Sequence, residues 1–588
     1  MMHVEKLLTD HIDIWSSALQ TRSTAGRGSS GKIDLYGIKK LRELILELAV
    51  RGKLVPQDPN DEPASELLKR IAAEKAELVK QGKIKKQKPL PEIREEEKPF
   101  ELPSGWEWCR LPSVSHYLVG KTPPTKDTSY WDTEQSGTPW VSIADLNHNG
   151  YVASTTKMVS EKARNISFRY PPVKSGTILM SFKLTVGKVS ILEMDAYHNE
   201  AIISINHHSG VERDYLFIIL PLISKLGKSK QAIMGNTLNS ASLSMLLLPM
   251  PPQQEQIKII SKYRQLMSLC DQLEQQSLTS LEAHQQLVET LLATLTDSQN
   301  AEELTENWAR ISQHFDTLFT TEASIDALKQ TILQLAVMGK LVPQDPSDEP
   351  ASELLKRIEQ EKAQLVKEGK IKKQKPLPPV SDEEKPFDLP EGWSFCRLQD
   401  ITNLITDGKH GDCSNKSDSG YYFLSAKDIN DGKLNYKFAR QIEPDEFLEV
   451  HKRTNLQIGD ICMVNTGATV GKMAIVDDDA LVSHTTFQKS VAIIKPASPF
   501  IFNLYIYIFL ESQAPALRIK SGGSAINNLL LGDLKKNITS LPPLGEQKRI
   551  VNKVNELNFI CGQLKSRLQS AQQTQLHLAD ALTDAALN

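Results

Sequence analysis

The stretch LAVRGKLVPQDPNDEPASELLKRI (Leu48–Ile71) returns almost unchanged as LAVMGKLVPQDPSDEPASELLKRI (Leu335–Ile358). Both stretches belong to a longer repeat, in which Leu41–Leu111 recurs at Leu328–Leu398, shifted by 287 positions without a gap and with 53 identities in 71 positions. Solenoid repeats are far shorter, at about 20–50 residues. The repeat therefore predicts two large modules in one 588-residue chain.

Each copy of the repeat is a connector with its own local pattern. Acidic residues and Pro63 precede a run of strong helix formers that reaches Lys80, which predicts a helix. A lysine-rich segment follows in GKIKKQKPLP, at Gly82–Pro91 and again at Gly369–Pro378. Such a segment is either a solvated linker or a contact for DNA phosphates or an acidic partner.

A second pair of matching segments follows each connector at a distance. PPQQEQ (Pro251–Gln256) resembles PPLGEQ (Pro542–Gln547), and each opens a polar stretch of about 40 residues with apolar residues at helical spacing. We expect these stretches to form long helices that pack against each other as a two-helix rod. We predict that the packed faces of these helices include Leu266, Leu269, Leu273, Leu557, Leu564 and Leu568.

Two dissimilar blocks lie between the similar segments, at about 105–249 and 392–541. They share a skeleton of glycine turns and apolar runs but few identical residues. One explanation is that gene conversion has kept the connectors alike. The other is functional: two equivalent scaffold halves carry two modules that recognise different things.

Both blocks contain a predicted hairpin with a polar turn. The apolar run that ends at Ser181 is followed by Gly187, and the run that ends at Val464 is followed by Gly471. Lysine, threonine and asparagine in such loops donate hydrogen bonds to phosphates and base edges. The candidate DNA-contacting residues are Lys121, Thr122, Tyr130, Trp131, Lys183, Thr185, Lys188, Asn236, Lys409, His410, Asn465, Thr466, Thr469, Lys472 and Ser524.

Composition argues against a protein that holds DNA unaided. The net charge of the chain is -3, residues 105–250 carry 14 basic and 11 acidic residues, and residues 392–541 carry 16 of each. Because phosphate neutralisation supplies much of the affinity for DNA, we expect partner subunits to share the binding. Six scattered cysteines without a CxxC pair, together with the lack of a long apolar segment, favour the cytoplasm.

The motifs of catalysis are missing from the sequence. Gly26–Ile33 nearly matches a phosphate-binding loop but lacks the Ser or Thr after Lys32. No HExxH zinc motif or adenine-methyltransferase motif is present. We therefore expect no catalytic, cofactor or metal site in this chain. Two alternatives stay open: a single-chain DNA enzyme, which S-adenosylmethionine binding would support, and a coiled-coil adaptor that does not bind DNA.

The whole pattern resembles the specificity (S) subunits of Type I restriction-modification systems. The resemblance is carried by GKTPP (Gly120–Pro124) with the aromatic residues after it, by TDGKH (Thr406–His410), by the two PPxxEQ helix starts and by the duplicated connectors. It implies two target recognition domains that each read one half of a split DNA site. Conserved helices would set the spacer between the halves and dock two methyltransferase subunits.

The resemblance also implies an assembly and a domain plan. S-adenosylmethionine, ATP and magnesium belong to partner methyltransferase and restriction subunits, and the S subunit is not a catalyst. The expected fold class is α+β, with two mixed domains separated by long antiparallel helices and a pseudo-two-fold repeat that is circular, since His11–Asp13 resembles His314–Asp316. The predicted segments are an N-terminal connector region (1–104), a first target recognition domain (105–250), a central helical spacer and connector (251–391), a second target recognition domain (392–541) and a C-terminal helix (542–588).

Overall fold

The computed structural model describes the chain except for residues 1–5, 7–8, 23–31, 83–88, 135, 169, 184, 227–239, 478–479, 522–527 and 588. The chain divides into two compact units. The first contains Met1–Gln20, Ile33–Leu278 and Gln572–Asn588, and the second contains Thr21–Lys32 and Thr279–Ala571. Each unit is therefore built from segments that are distant in sequence.

The first half of the chain alternates between helices and short strands. Its helices are α1 (Ile12–Ser17), α2 (Tyr36–Val50), α3 (Ala64–Lys80), α4 (Leu111–Val114), α5 (Glu161–Ile166), α6 (Arg213–Leu226), α7 (Ser240–Ser244) and α8 (Gln253–Asp297). Its strands are β1 (Gln20–Arg22), β2 (Lys32–Asp34), β3 (Glu107–Arg110), β4 (Ser115–Val119), β5 (Trp131–Asp132), β6 (Thr138–Val141), β7 (Gly150–Val152), β8 (Lys157–Val159), β9 (Ile178–Ser181), β10 (Val189–Leu192), β11 (Tyr197–His198), β12 (Ile202–His207) and β13 (Leu247–Met250).

In the first globular block, residues 105–250, the described residues form three sheets. The largest has the order β4-β12-β9-β10-β7, the second has the order β11-β6-β8-β5, and β3 pairs with β13 where the block begins and ends. Strands β9 and β10 are buried along their whole length, which explains their largely apolar sequences. They pair antiparallel with Ile178 opposite Ile191, so the predicted first hairpin is confirmed.

The second half of the chain repeats this order. Its helices are α9 (Ala301–Gln313), α10 (Phe315–Leu318), α11 (Glu322–Val337), α12 (Ala351–Lys367), α13 (Pro444–Thr454), α14 (Asn503–Ser521), α15 (Leu531–Lys536) and α16 (Leu544–Leu587). Its strands are β14 (Ser394–Arg397), β15 (Thr402–Asp407), β16 (Tyr422–Leu424), β17 (Ile429–Asn430), β18 (Lys433–Leu434), β19 (Arg440–Gln441), β20 (Ile461–Val464), β21 (Met473–Ile475), β22 (Thr485–Phe487), β23 (Val491–Pro496) and β24 (Ile538–Leu541).

The second globular block, residues 392–541, has the same plan with shorter sheets. The sheet β15-β23-β20-β21 corresponds to four strands of the large sheet in the first block, β19-β16-β22 to the second sheet, and β14-β24 to the closing pair. Strands β20 and β21 pair antiparallel with Cys462 opposite Ala474. The second predicted hairpin is therefore also confirmed.

The scaffold of each unit is a helix bundle with the same construction. In the first unit, α2 buries Leu44, Ile45 and Leu48 and pairs Arg42 with Glu274 of α8, with 2.7 Å between Nη2 and Oε2. In the second unit, α11 occupies the equivalent place, and apolar residues of α8 and α16 share its core: Val288, Leu292, Leu295, Ile550, Val551, Val554 and Cys561. Both long helices thus contribute apolar residues to one core of this unit; their direct packing against each other as a two-helix rod stays a prediction.

Two equivalent lysines, Lys53 and Lys340, make the same kind of contact in the two units. In the first unit, Lys53 Nζ donates to the carbonyl oxygen of Leu587, near the end of α16, at 2.6 Å. In the second unit, Lys340 Nζ donates to the carbonyl oxygen of Thr296, near the end of α8, at 2.6 Å. The two long helices exchange roles between the units, so the repeat is circular, as predicted. The expected α+β class with two mixed domains and long helices is confirmed.

Candidate nucleic-acid interface

Each globular block is fixed to its long helix by a buried Glu-Gln pair from the PPxxEQ motif. Gln256 Oε1 accepts the backbone N–H of Glu212 at 2.7 Å, and Gln547 Oε1 accepts that of Phe502 at 2.9 Å. The side-chain amide of each Gln donates in turn to the first proline of its own motif, at 3.2 and 3.0 Å. The motif is therefore a latch between block and scaffold.

The glutamates of the same motif join the connector to the latch. Glu255 accepts from Gln57 Nε2 at 3.1 Å, and Glu546 accepts from Gln344 Nε2 at 3.2 Å. Burial raises the pKa of both carboxyls above the ordinary value, and the hydrogen bonds that they accept oppose this rise. Both blocks thus share these Gln and Glu contacts, which do not distinguish one block from the other.

The turn of the first hairpin contains three candidate residues, which differ in exposure and in their contacts within the protein. Ser181 Oγ accepts the backbone N–H of Lys188 at 3.2 Å and closes the turn. Lys188 Nζ donates to the carbonyl oxygen of Ile143 at 3.4 Å. Lys183 lies with its Nζ 5.3 Å from the ring centre of Phe182, and Thr185 is exposed at the tip. Thr185 and Lys183 are therefore the residues of this turn best placed for an external ligand.

The GKTPP segment lies against the end of β11. The backbone N–H of Lys121 donates to the carbonyl oxygen of His198 at 2.9 Å, and a side chain on Gly120 would collide with that same oxygen. Lys121 is exposed, with its Nζ 3.3 Å from the carbonyl oxygen of Ser167. Thr122 Oγ1 accepts from Asn199 Nδ2 at 3.4 Å. Close backbone approach explains the glycine, while Lys121 keeps an exposed ammonium.

The two candidate aromatic residues form part of a packed cluster. Trp131 packs edge-on against Trp140 with 5.0 Å between ring centres, and its Nε1 donates to the carbonyl oxygen of Pro124 at 3.1 Å. Tyr130 lies under Lys162, whose Nζ is 4.5 Å from the ring centre. Both rings are half-buried, so packing alone accounts for their type.

The second block repeats the Gly-Lys segment with altered electrostatics. The backbone N–H of Lys409 donates to the carbonyl oxygen of Phe487 at 2.9 Å. Its ammonium lies 3.5 Å from Glu446 and 3.4 Å from Glu449 and is 19% exposed. His410 Nε2 lies 3.0 Å from Asp407 Oδ2. Lys409 is thus neutralised by acids on α13, whereas Lys121 of the first block faces solvent.

The second hairpin loop is tied to two neighbouring loops. Asn465 is buried, donates its backbone N–H to Ser490 and accepts from Leu529 N–H at 2.8 Å. Thr466 Oγ1 donates to Asn528 Oδ1 at 3.0 Å. Lys472 Nζ donates to Asn430 Oδ1 at 3.2 Å, and its backbone N–H donates to Thr469 at 3.1 Å. The structure therefore places Thr466, Thr469 and Lys472 half-buried in one polar loop, while Asn465 is buried.

Two of the candidates lie outside the described residues, namely Asn236 and Ser524. Sequence reasoning missed Asn430 and Asn528, whose partners are distant in the chain. It also missed Phe438, which is 80% exposed in the loop between β18 and β19, with Lys437 Nζ 5.4 Å from its ring centre. An aromatic residue between Lys437 and Arg440 in a polar loop was a readable signal for nucleic-acid contact.

The candidate scaffold leucines lie on the packed sides of the long helices. Leu266 and Leu273 are buried and Leu269 is half-buried, while Leu557, Leu564 and Leu568 pack partly buried against the core of the second unit. Among the residues that the structure describes, no cluster of His, Cys, Asp and Glu is arranged to bind a metal ion. Over the same part of the chain, no helix has the length and apolar character to span a membrane.

The family profile and the similar proteins all belong to Type I restriction systems. The profile of the Type I restriction modification DNA specificity domain matches residues 103–283 and 390–569. The chain is 51% identical to the Type I restriction enzyme EcoAI specificity subunit of Escherichia coli and 49% identical to the EcoEI specificity subunit of the same species, over 100% of each chain. A solved chain of a type I R-M system aligns with a TM-score of 0.44 and 16% identity, covering 83% of this chain and 99% of that one.

Proposed function

This chain belongs to the DNA specificity subunits of Type I restriction-modification systems, and from that premise we propose that each of its two target recognition domains reads one half of a bipartite, asymmetric DNA site. The first reader is the block at 105–250 and the second is the block at 392–541. The regions 1–104, 251–391 and 542–588 form the scaffold that carries them.

The observation that carries this proposal is the contrast between attachment and loops. Both blocks are latched by the same Gln and Glu contacts. Their hairpin turns differ, because the first presents Lys183 and Thr185 and the second presents Thr466 and Lys472. Two readers held in the same way but with different donors suit two different half-sites, since base edges are distinguished by their donor and acceptor patterns.

The scaffold supplies the other half of the proposed function. Helices α8 and α16 contain 45 and 44 residues, or about 65–70 Å each at 1.5 Å per residue. We assign to them the number of unread base pairs between the half-sites, and to the scaffold as a whole the docking of two methyltransferase subunits. Restriction subunits join through the methyltransferases.

Chemistry is delegated to these partners. In this proposal the chain is not a catalyst: S-adenosylmethionine is bound by the methyltransferase subunits, and ATP and magnesium are bound by the restriction subunits. The near-neutral charge of the two blocks supports a shared hold on DNA, because 14 basic against 11 acidic residues in the first block and 16 against 16 in the second leave little net attraction for phosphates.

A domain exchange tests the proposal. DNA from cells that express this chain with its methyltransferase subunit is mapped for methylated adenine, and one bipartite, asymmetric motif is expected. Replacing residues 105–249 with the corresponding block of a relative is expected to change one half of the motif and leave the other half and the spacer unaltered. Changes in both halves would overturn the assignment of one reader to one half-site.

A further inference from the structure

The duplicated connectors show identical side chains on their surface as well as in their core. Packing explains identity at buried positions such as Gly52, Leu67 and Ile71, because changes of volume there are costly. It does not explain identity at exposed positions, where most substitutions change stability by less than about 0.5 kcal/mol. Shared exposed residues therefore point to a shared external contact.

The exposed identities are densest in the loop and first turns before residue 72: of the nine positions among residues 56–71 that are exposed in both copies, eight are identical. We call the six exposed residues Pro56, Asp58, Pro59, Glu62, Pro63 and Glu66 the first patch, and their exposed counterparts Pro343, Asp345, Pro346, Glu349, Pro350 and Glu353 the second patch. Over Gly52–Ile71 the two copies differ at one position, Asn60 against Ser347. Each patch covers the loop before α3 or α12 and the first turn of that helix.

The rest of the same helix diverges. Among the ten residues from 72 to 81, four differ between the copies, and all four are exposed in both: Ala72, Ala73, Glu77 and Gln81 against Glu359, Gln360, Gln364 and Glu368. Gene conversion copies DNA without regard to exposure, so by itself it does not confine the surface differences to one end of a helix. Identity resumes in the lysine-rich segment Gly82–Pro91, so this divergent surface separates the patches from that segment.

Internal stability does not require the glutamates of the patches. Glu62 pairs with Arg70 at 2.8 Å and Glu66 with Lys69 at 2.7 Å, and all four side chains are largely exposed. Exposed ion pairs of this kind contribute between nothing and about 1 kcal/mol. Their exact repetition in the second unit, as Glu349 with Arg357 and Glu353 with Lys356, is therefore unexplained by folding.

The loop of each patch is ordered by hydrogen bonds within the protein itself. Gln57 Nε2 donates to the carbonyl oxygen of Gly52 at 2.6 Å, and Gln344 Nε2 donates to that of Gly339 at 2.7 Å. Three prolines in each patch restrict the backbone further. A loop that is already ordered loses little conformational entropy on binding, which favours a protein contact.

We propose that each patch is the docking surface for one methyltransferase subunit. The inference rests on the proposed function, and it adds the location: the same surface occurs once in each unit, so it binds the same partner twice. The glutamates meet basic side chains of the partner, and the prolines supply a rigid apolar contact. The lysine-rich segment that follows the helix lies outside the patches.

Counting bound subunits tests this location. The full chain is mixed with the methyltransferase subunit of its own system and the complex is weighed by native mass spectrometry. Two subunits are expected on the unaltered chain and one on Glu62→Lys/Glu66→Lys, whose first patch binds at least tenfold more weakly. The fourfold variant that adds Glu349→Lys and Glu353→Lys binds none.

The matched control changes charge on the divergent part of the same helices. Glu77→Lys/Gln81→Lys and Gln364→Lys/Glu368→Lys are expected to keep two bound subunits, and circular dichroism checks that all variants fold. Two subunits on the fourfold variant at unaltered affinity would refute the patches and leave the proposed function intact. Absence of binding by the unaltered chain would instead refute the assembly in the proposed function.

Discussion

Replacement of Gln547 by leucine tests whether the PPxxEQ motif is a latch. Leucine matches the buried volume of the amide closely but removes its two hydrogen bonds, to Phe502 N–H at 2.9 Å and from Nε2 to the carbonyl oxygen of Pro542 at 3.0 Å. A buried polar group that loses its partner costs about 1–3 kcal/mol. We therefore expect local opening at the start of α14 to become about 5–150-fold more frequent, since about 1.4 kcal/mol corresponds to a factor of ten.

Hydrogen exchange measures this opening at the amide concerned. In Gln547→Leu, a peptide that contains Phe502 should exchange faster by that factor, while a peptide that contains Glu212, latched by Gln256 in the other unit, should keep its rate. Gln563→Leu, at an exposed position of the same helix, is the control and should alter neither. Equal protection of Phe502 in the variant and the parent would refute the latch.

Three further predictions concern a buried histidine, a helix end and a DNA contact. Burial lowers the pKa of His198 to about 4, below the ordinary value, so on acidification the unfolded chain takes up a proton first. The contribution of His198 to the free energy of unfolding is complete above about pH 6.5 and falls by about 3 kcal/mol towards pH 4. His198→Phe, which introduces the residue type of Phe487 in the second block, should remove this pH dependence when urea unfolding is measured at both pH values. Lys340→Met should fray the end of α8 at a cost of about 1–2 kcal/mol, because the carbonyl oxygen of Thr296 loses its ammonium donor. Hydrogen exchange at residues 290–297 should become faster. Unaltered exchange there would contradict a stabilising role for this contact. Lys183→Ala should weaken DNA binding by the assembled complex and lower the slope of log K against log salt by about 0.9 for one lost phosphate contact; an unaltered slope would exclude such a contact.

Local sequence signals predicted the elements that local chemistry determines. Both hairpins follow from apolar runs around polar, glycine-containing turns. The connector helix begins at Ala64 and ends at Lys80, between Pro63 and Gly82, as its composition predicted. The circular repeat was predicted from the likeness of His11–Asp13 to His314–Asp316, and the equivalent contacts of Lys53 and Lys340 agree with it.

The role of individual site residues was less predictable, because it depends on partners far along the chain. Lys188 is engaged by the carbonyl oxygen of Ile143, 45 positions away, and Lys409 by two glutamates of α13. Asn465 is buried between Ser490 and Leu529. No pattern within a single loop contains this information, so the DNA-contacting residues stay a prediction.

The order of synthesis matters for a protein in which each unit uses the last helix. Residues 544–571 complete the second unit and residues 572–587 complete the first, and the carbonyl oxygen of Leu587 receives the ammonium of Lys53. Until α16 has been synthesised, neither helix bundle is closed. Removal of residues 572–587 would thus destabilise the first unit, most of which precedes the second unit in the sequence.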